Sequence, residues 1–236
     1  AVFGSATLGG QTALIYAARE GKIEAIRALL DGGAKVNTVS AEEKISPLLM
    51  AILNGHFDAA MLLLERGANP NLVSNSGVAP LYATVDVAWA PFAWLPQPIT
   101  SGEKASYLDL MTALLDRGAS PNWRISRRLW MRSFGERTWV DPAGATAFWR
   151  AAQALDVSAM KLLVSRGADP KIPNHFNDTA LMVAAGVGWA PNSTTTAPGP
   201  TAWLDAVKYC MSLGLEVTAR DHMGFSALHG AAFRGD

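Results

Sequence analysis

A chain of 236 residues with 20 basic and 20 acidic side chains and a pI near 7.1 has no global field to steer it to nucleic acid or an anionic membrane. Half of its residues are hydrophobic and 17% are charged, which supplies a core and argues against disorder. The single Cys210 excludes an internal disulfide framework and a cysteine metal site, and no run approaches the ~20 apolar residues of a membrane-spanning helix.

The first helix-forming stretch opens at Thr12, whose hydroxyl is placed to accept from a backbone N–H two or three residues on. Ala13, Leu14, Ala17 and Ala18 give it a face of small residues, and Gly21 ends it. A second stripe at helical spacing, Ile23, Ile26, Leu29 and Leu30, closes at Gly33 and Ala34. The pair predicts a short helix, a tight reversal and a longer helix. The pattern returns with Ser46, Ala51, Gly55, Leu62, Leu63, Leu64 and Gly67.

The start motif then recurs at Ala79, Thr146, Thr179 and Ser226, each followed by Ala or Pro and then Leu or Phe. The last copy, Arg220 to Gly235, follows D-x-x-G-x-T-P-L-H-x-A-A-x-x-G, with Ser226 to His229 in the T-P-L-H slot. On these residues the chain resembles the ankyrin-repeat family. The resemblance implies an all-α solenoid of helix-turn-helix units forming a single domain over 1–236, with six units starting near 7, 41, 74, 141, 174 and 221, the last incomplete.

A unit of about 33 residues does not fill the intervals from 79 to 146 and from 179 to 226. Three insertions account for the excess, near 90–104, 123–140 and 190–201. The outer two fall between the helices of the third and fifth units and open alike, with Trp89 and Trp189 each two residues before a proline. The middle one lengthens the turn between units. It predicts an extended β-hairpin finger, with strands Arg128–Arg132 and Arg137–Asp141 around a turn holding Gly135. The chain begins with alanine rather than methionine, as expected either of an exported mature chain or of an excised domain.

All eight tryptophans lie between residues 89 and 203. Trp89, Trp94, Trp123, Trp130, Trp139, Trp189 and Trp203 are in or beside the insertions, and Trp149 takes the histidine slot of the fourth unit. Such rings either give long loops a core of their own or line a recognition surface. Arg124, Arg127, Arg128, Arg132 and Arg137 share the middle insertion, where they would pair within a hairpin or clamp an acidic group. His56 and His229 fit structural slots of the repeat. His175 and His222 occupy turn tips, and neither has a local acid and nucleophile that would make a triad. Asp86, Glu103 and Asp109 converging near Trp89 would suit sugar hydrolysis, but no zinc-protease, nucleotide-loop or nucleophile-elbow motif accompanies them. No cofactor or metal site is expected.

In the family, the turn tips and inner helices form a concave binding face. By position this exposes, among others, Leu53, Val78, Asp86, Ala145, Gln153, Ala154, His175, Phe176, Asp178, His222 and Met223. The resemblance therefore implies a non-enzymatic scaffold for a protein partner. The candidate contact residues are Asp86, Trp89, Trp94, Arg124, Arg128, Trp130, Arg132, Trp139, Trp149, Gln153, His175, Phe176, Trp189 and His222. Two other readings stand beside it: a small-molecule or glycan binder with an aromatic pocket formed by the insertions, and a structural segment of a larger assembly.

Overall fold

In the computed structural model, which describes residues 10–91, 97–128, 140–190 and 195–235, the chain forms two layers of helices. The inner layer contains α1 (Ala13–Arg19), α3 (Pro47–Leu53), α5 (Pro80–Ala88), α7 (Ala147–Gln153), α9 (Ala180–Ala185) and α11 (Ala227–Arg234). The outer layer contains α2 (Ile23–Asp31), α4 (Phe57–Glu65), α6 (Tyr107–Asp116), α8 (Val157–Ser165) and α10 (Ala202–Ser212). Each inner helix through α9 packs on the next inner helix and on its own outer helix, so the core runs unbroken along the stack. Among the described residues no helix is long and apolar enough to cross a membrane.

Local chemistry starts each inner helix. The hydroxyls of Thr12, Ser46, Thr146 and Thr179 accept from the backbone N–H three residues on, at 3.1–3.3 Å. Ala79 has no hydroxyl, but Pro80 at the first helical position removes one of the amides that needs capping. Small residues then bring neighbouring inner helices together: Ala18, Ala51, Ala83, Ala152 and Ala184 are all buried. Leu155, where the repeat usually has glycine, takes φ +59° and is held there with its side chain buried.

The turns ahead of the inner helices, or fingers, are laced edge to edge. Asn75 N–H donates to the Glu43 carbonyl (2.9 Å), His175 N–H to Ala143 (2.8 Å) and His222 N–H to Phe176 (3.0 Å). The link between the third and fourth fingers has to differ, because Pro142 stands at the donor position and has no N–H. Ser126, from the base of the middle insertion, donates to the Ser76 carbonyl in its place (3.0 Å), as does Arg127 (3.1 Å). Gly77 admits this: its φ is +72°, and a Cβ there would come within 2.7 Å of the Ser126 nitrogen. On the other edge, Asn37, Asn71 and Asn122 each bridge one unit to the next through both side-chain atoms.

The helical expectation holds, but the extended hairpin is not supported. Residues 129–139 lie outside the described ones, and among the described residues there is no strand, including at Arg128, Val140 and Asp141. The amides at the base of the insertion are used by the fingers. Ser126 and Arg127 bond the third finger, and Ile125 exchanges bonds with Ala145 and Gly144 (3.0 and 2.7 Å).

Candidate functional site

The two inter-helix insertions are bound to the stack at their bases. Ile99 N–H donates to the Asn54 carbonyl at the end of α3 (3.3 Å), and Ala197 N–H donates to Ala154 at the end of α7 (2.8 Å). Each insertion thus covers the reversal of the preceding unit. Glu103 accepts from Asp58 N–H (2.7 Å) and lies 3.6 Å from His56, while Asp58 accepts from the amides of Lys104 and Ala105. Thr195 Oγ1 donates to the Ala90 carbonyl (2.9 Å), tying the last insertion to the first.

Between the third and fourth units lies a polar node. Arg150, almost wholly buried, donates from Nε to Asp86 (2.6 Å) and from Nη2 to the Trp89 carbonyl (2.7 Å). Asp156 caps α8 through Ala159 N–H (3.0 Å). Its other oxygen accepts from Trp89 Nε1 (2.8 Å) and Tyr107 Oη (2.7 Å), and the two rings meet edge to face. Burial, then the bond to Asp156, push the Tyr107 hydroxyl well above its ordinary range, so it remains a donor. Asp86, Glu103 and Asp109 therefore do not converge. The first pairs with Arg150, the second docks on the second unit, and the third closes a capping box with Ser106 that lowers its pKa.

The fourth to sixth fingers enclose a cavity of ≈ 180 Å³. Val140, Phe176 and Met223 supply its apolar wall, and Asp141, Asp178, Asp221 and His222 its polar lining. The rings of Phe176 and His222 lie 5.0 Å apart, and His222 and Met223 are exposed. Asp178 is buried, and its carboxyl is pushed up to about 6, first by desolvation and further by the adjacent Asp221 carboxyl, against the Asn174 amide and His222.

The structure sorts the candidate contact residues. Trp149 is not at the surface: it is 0% exposed and donates from Nε1 to the Asp178 carbonyl (2.9 Å), because at this position the small inner-helix face leaves room for an indole inside the stack. Leu53, Val78, Ala145, Ala154 and Asp178 are likewise buried rather than presented on a concave face. Asp86 and Trp89 belong to the node, and Gln153 is half-buried at the end of α7. Arg124 holds the carbonyls of Gly144 (2.8 Å) and Pro173 (2.9 Å), and Arg128 reaches Val140 (3.4 Å). Trp189 lies under Arg234, 5.3 Å from ring centre to guanidinium carbon. His175, Phe176 and His222 come together along the finger edge. Trp94, Trp130, Arg132 and Trp139 lie outside the described residues.

Sequence reasoning missed Asp156 and Arg150. Asp156 is readable as a helix cap just before Val157, but nothing local couples it to Trp89, 67 residues away. Among the described residues no group of three or more His, Cys, Asp or Glu side chains is arranged to hold a metal ion.

Residues 3–81 match a family model described as ankyrin repeats (3 copies), and the helix pairs continue beyond that match with the same caps and finger links. The chain is an ankyrin-repeat protein. The B-cell lymphoma 3 protein homolog of Mus musculus is 38% identical over 180 residues, covering 74% of this chain and 32% of that protein. The ankyrin-repeat chain thus spans about a third of the length of this curated relative. Its fold is similar to that of the ankyrin-repeat protein EF0377, with TM-score 0.65, 23% identity, and coverage of 94% of this chain and 92% of that one. It is also similar to the ankyrin-repeat domain ABAYE2397 of Acinetobacter baumannii AYE, with TM-score 0.66, 22% identity, and coverage of 94% and 91%. Ankyrin repeats are generally protein–protein interaction modules and generally non-enzymatic.

Proposed function

We propose that this ankyrin-repeat chain is a non-enzymatic scaffold for a protein partner, and that the partner docks on the tips of the fifth and sixth fingers. The observation that carries this reading is the cavity between Val140, Phe176 and Met223, with His222 and Met223 exposed at its rim. A concave, partly apolar recess beside exposed aromatic and methionine side chains supports an anchoring contact. The insertions have a different part in this reading. Their described bases hold the stack, and Trp89, Arg124 and Arg128 already have partners inside the chain. The aromatic-pocket alternative has less support: a cleft of ≈ 580 Å³ between α8 and α10 is lined, among the described residues, by Lys161, Lys208, Asp205, Tyr209 and the loop residues Ala197 and Pro198, and by no tryptophan among them.

The test is site-specific photo-crosslinking in the source organism's lysate, with the probe at Met223 and, as control, at Met211 on α10. A partner captured at 223, absent at 211, and lost when His222 and Phe176 are both changed to alanine is the expected result. Equal capture at both positions, or binding unchanged by the double substitution, overturns the placement.

A further inference from the structure

The first three junctions between units are closed by one device on the edge away from the fingers. The side chain of Asn37, Asn71 or Asn122 donates from Nδ2 to the glycine carbonyl that follows the next outer helix, at Gly67 (3.3 Å), Gly118 (2.8 Å) or Gly167 (3.0 Å). Its Oδ1 accepts from the amide two residues further on, at Asn69 (2.8 Å), Ser120 (2.9 Å) or Asp169 (2.7 Å). Each asparagine stands four residues after the glycine of its own unit.

At the junction of the fourth and fifth units that position, four residues after Gly167, is Lys171. An ammonium group donates but accepts nothing, so it cannot hold the amide of Glu216, which follows Gly214 as Asp169 follows Gly167. Among the described residues nothing hydrogen-bonds to the Glu216 N–H or to the Gly214 carbonyl. Around these two groups lies a cavity of ≈ 320 Å³, with Lys171, Thr179, Gly214 and Glu216 on its polar side and Pro173 and Leu215 on its apolar side. Lys171 Nζ is 4.0 Å from the place a Cβ would take on Gly214, which sets the charge beside the cradle. Among the described residues Lys171 makes no ion pair. The acid of its own turn, Asp169, is engaged through Oδ1 with the Lys171 amide (2.9 Å).

We propose that this cavity is a carboxylate-binding site. One oxygen of the ligand accepts from Glu216 N–H, in the place that an asparagine Oδ1 takes at the other three junctions, and the second pairs with the Lys171 ammonium. Both bonds are charge-assisted. A carboxamide gains only the first at full strength, and a cation gains neither. The Glu216 side chain is exposed, so water and salt screen its charge from the ligand. The carboxylate comes from an acidic side chain of a protein partner or from a free organic acid. The cavity shares no lining residue with the recess at the finger tips, so the site is independent of the docking reading above.

The test is an NMR titration of the isotope-labelled chain at neutral pH and constant ionic strength. The probes are N-acetyl-aspartate N′-methylamide for the peptide source, succinate for the free acid, and N-acetyl-asparagine N′-methylamide as the neutral control. A saturable downfield shift of the Glu216 amide proton, reached at lower concentration with a carboxylate than with the control, is the expected result. The carboxylate that saturates first names the source. K171M keeps the aliphatic stem without the charge and should bind about fivefold more weakly at an unchanged melting temperature. K171N restores the asparagine of the other junctions; it should raise the melting temperature and abolish the shift, because its own Oδ1 takes the Glu216 amide. A Glu216 amide that no carboxylate moves, a neutral probe that binds as well, or a K171M chain that binds as tightly as wild type overturns the proposal.

Discussion

Replacing Asp156 with alanine would test how firmly the third and fourth units are joined. The side chain does three things: it caps α8 through Ala159 N–H, and it accepts hydrogen bonds from Trp89 Nε1 and from the Tyr107 hydroxyl. Losing a cap costs about 1 kcal/mol. Each of the two donors, partly buried and left without an acceptor, adds about 1–3 kcal/mol. D156A should therefore lose about 3–7 kcal/mol, a large fraction of the 5–15 kcal/mol typical of a folded domain. D156N separates the contributions, because an asparagine oxygen still caps while its amide turns away or opposes the indole N–H. It should lose about 1–3 kcal/mol. The assay is urea unfolding followed by tryptophan fluorescence, with Y107F and the double variant completing a mutant cycle whose coupling should reach ~0.5–3 kcal/mol. A loss in D156A of only about 1 kcal/mol would mean that the cap alone matters and would refute the node.

Arg150→Met should cost about 3–5 kcal/mol by leaving Asp86 unpaired near the core, read by the same unfolding assay. Gly77→Ala combines a left-handed backbone with a Cβ in the Ser126 amide, so the thermal midpoint should drop by several degrees, by an amount of order 1–3 kcal/mol. Trp149→Phe loses the bond to the Asp178 carbonyl and should destabilise by about 1 kcal/mol while leaving partner affinity unchanged; weakened binding at unchanged stability would restore Trp149 to the surface. Burial pushes the Cys210 thiol up to about 12, so the native chain should resist a thiol-specific reagent at pH 8 and react fully once unfolded.

The residues that made the helices legible act over three or four positions. Thr12, Ser46, Thr146 and Thr179 announce their helices because the amides they cap lie on the next turn. The 3- and 4-residue stripes likewise record which side of each outer helix is covered. What stayed hidden acts across units. Nothing near Trp89 points to Asp156, and nothing near Ser126 shows that it replaces the amide missing at Pro142. Asp178 read as exposed because its position in the repeat belongs to the family's concave face. Comparing its slot with Ile45, Val78 and Ala145 would have marked it as buried. The tryptophans and arginines of the insertions suggested a binding surface by composition alone. Whether an aromatic or a guanidinium is available depends on carbonyls and carboxylates up to 49–67 residues distant in sequence, as for Arg124 and Trp89.

Ordinary solenoids behave energetically as one-dimensional chains, in which each unit senses only its nearest neighbours and melting can begin anywhere. The bond from Thr195 to the Ala90 carbonyl breaks that rule, since it joins the fifth unit to the third over the top of the fourth. Such a second-neighbour term penalises any state in which the fourth unit melts between two folded ones. The middle of this array should therefore unfold as a block of three, with independent fraying confined to its flanks.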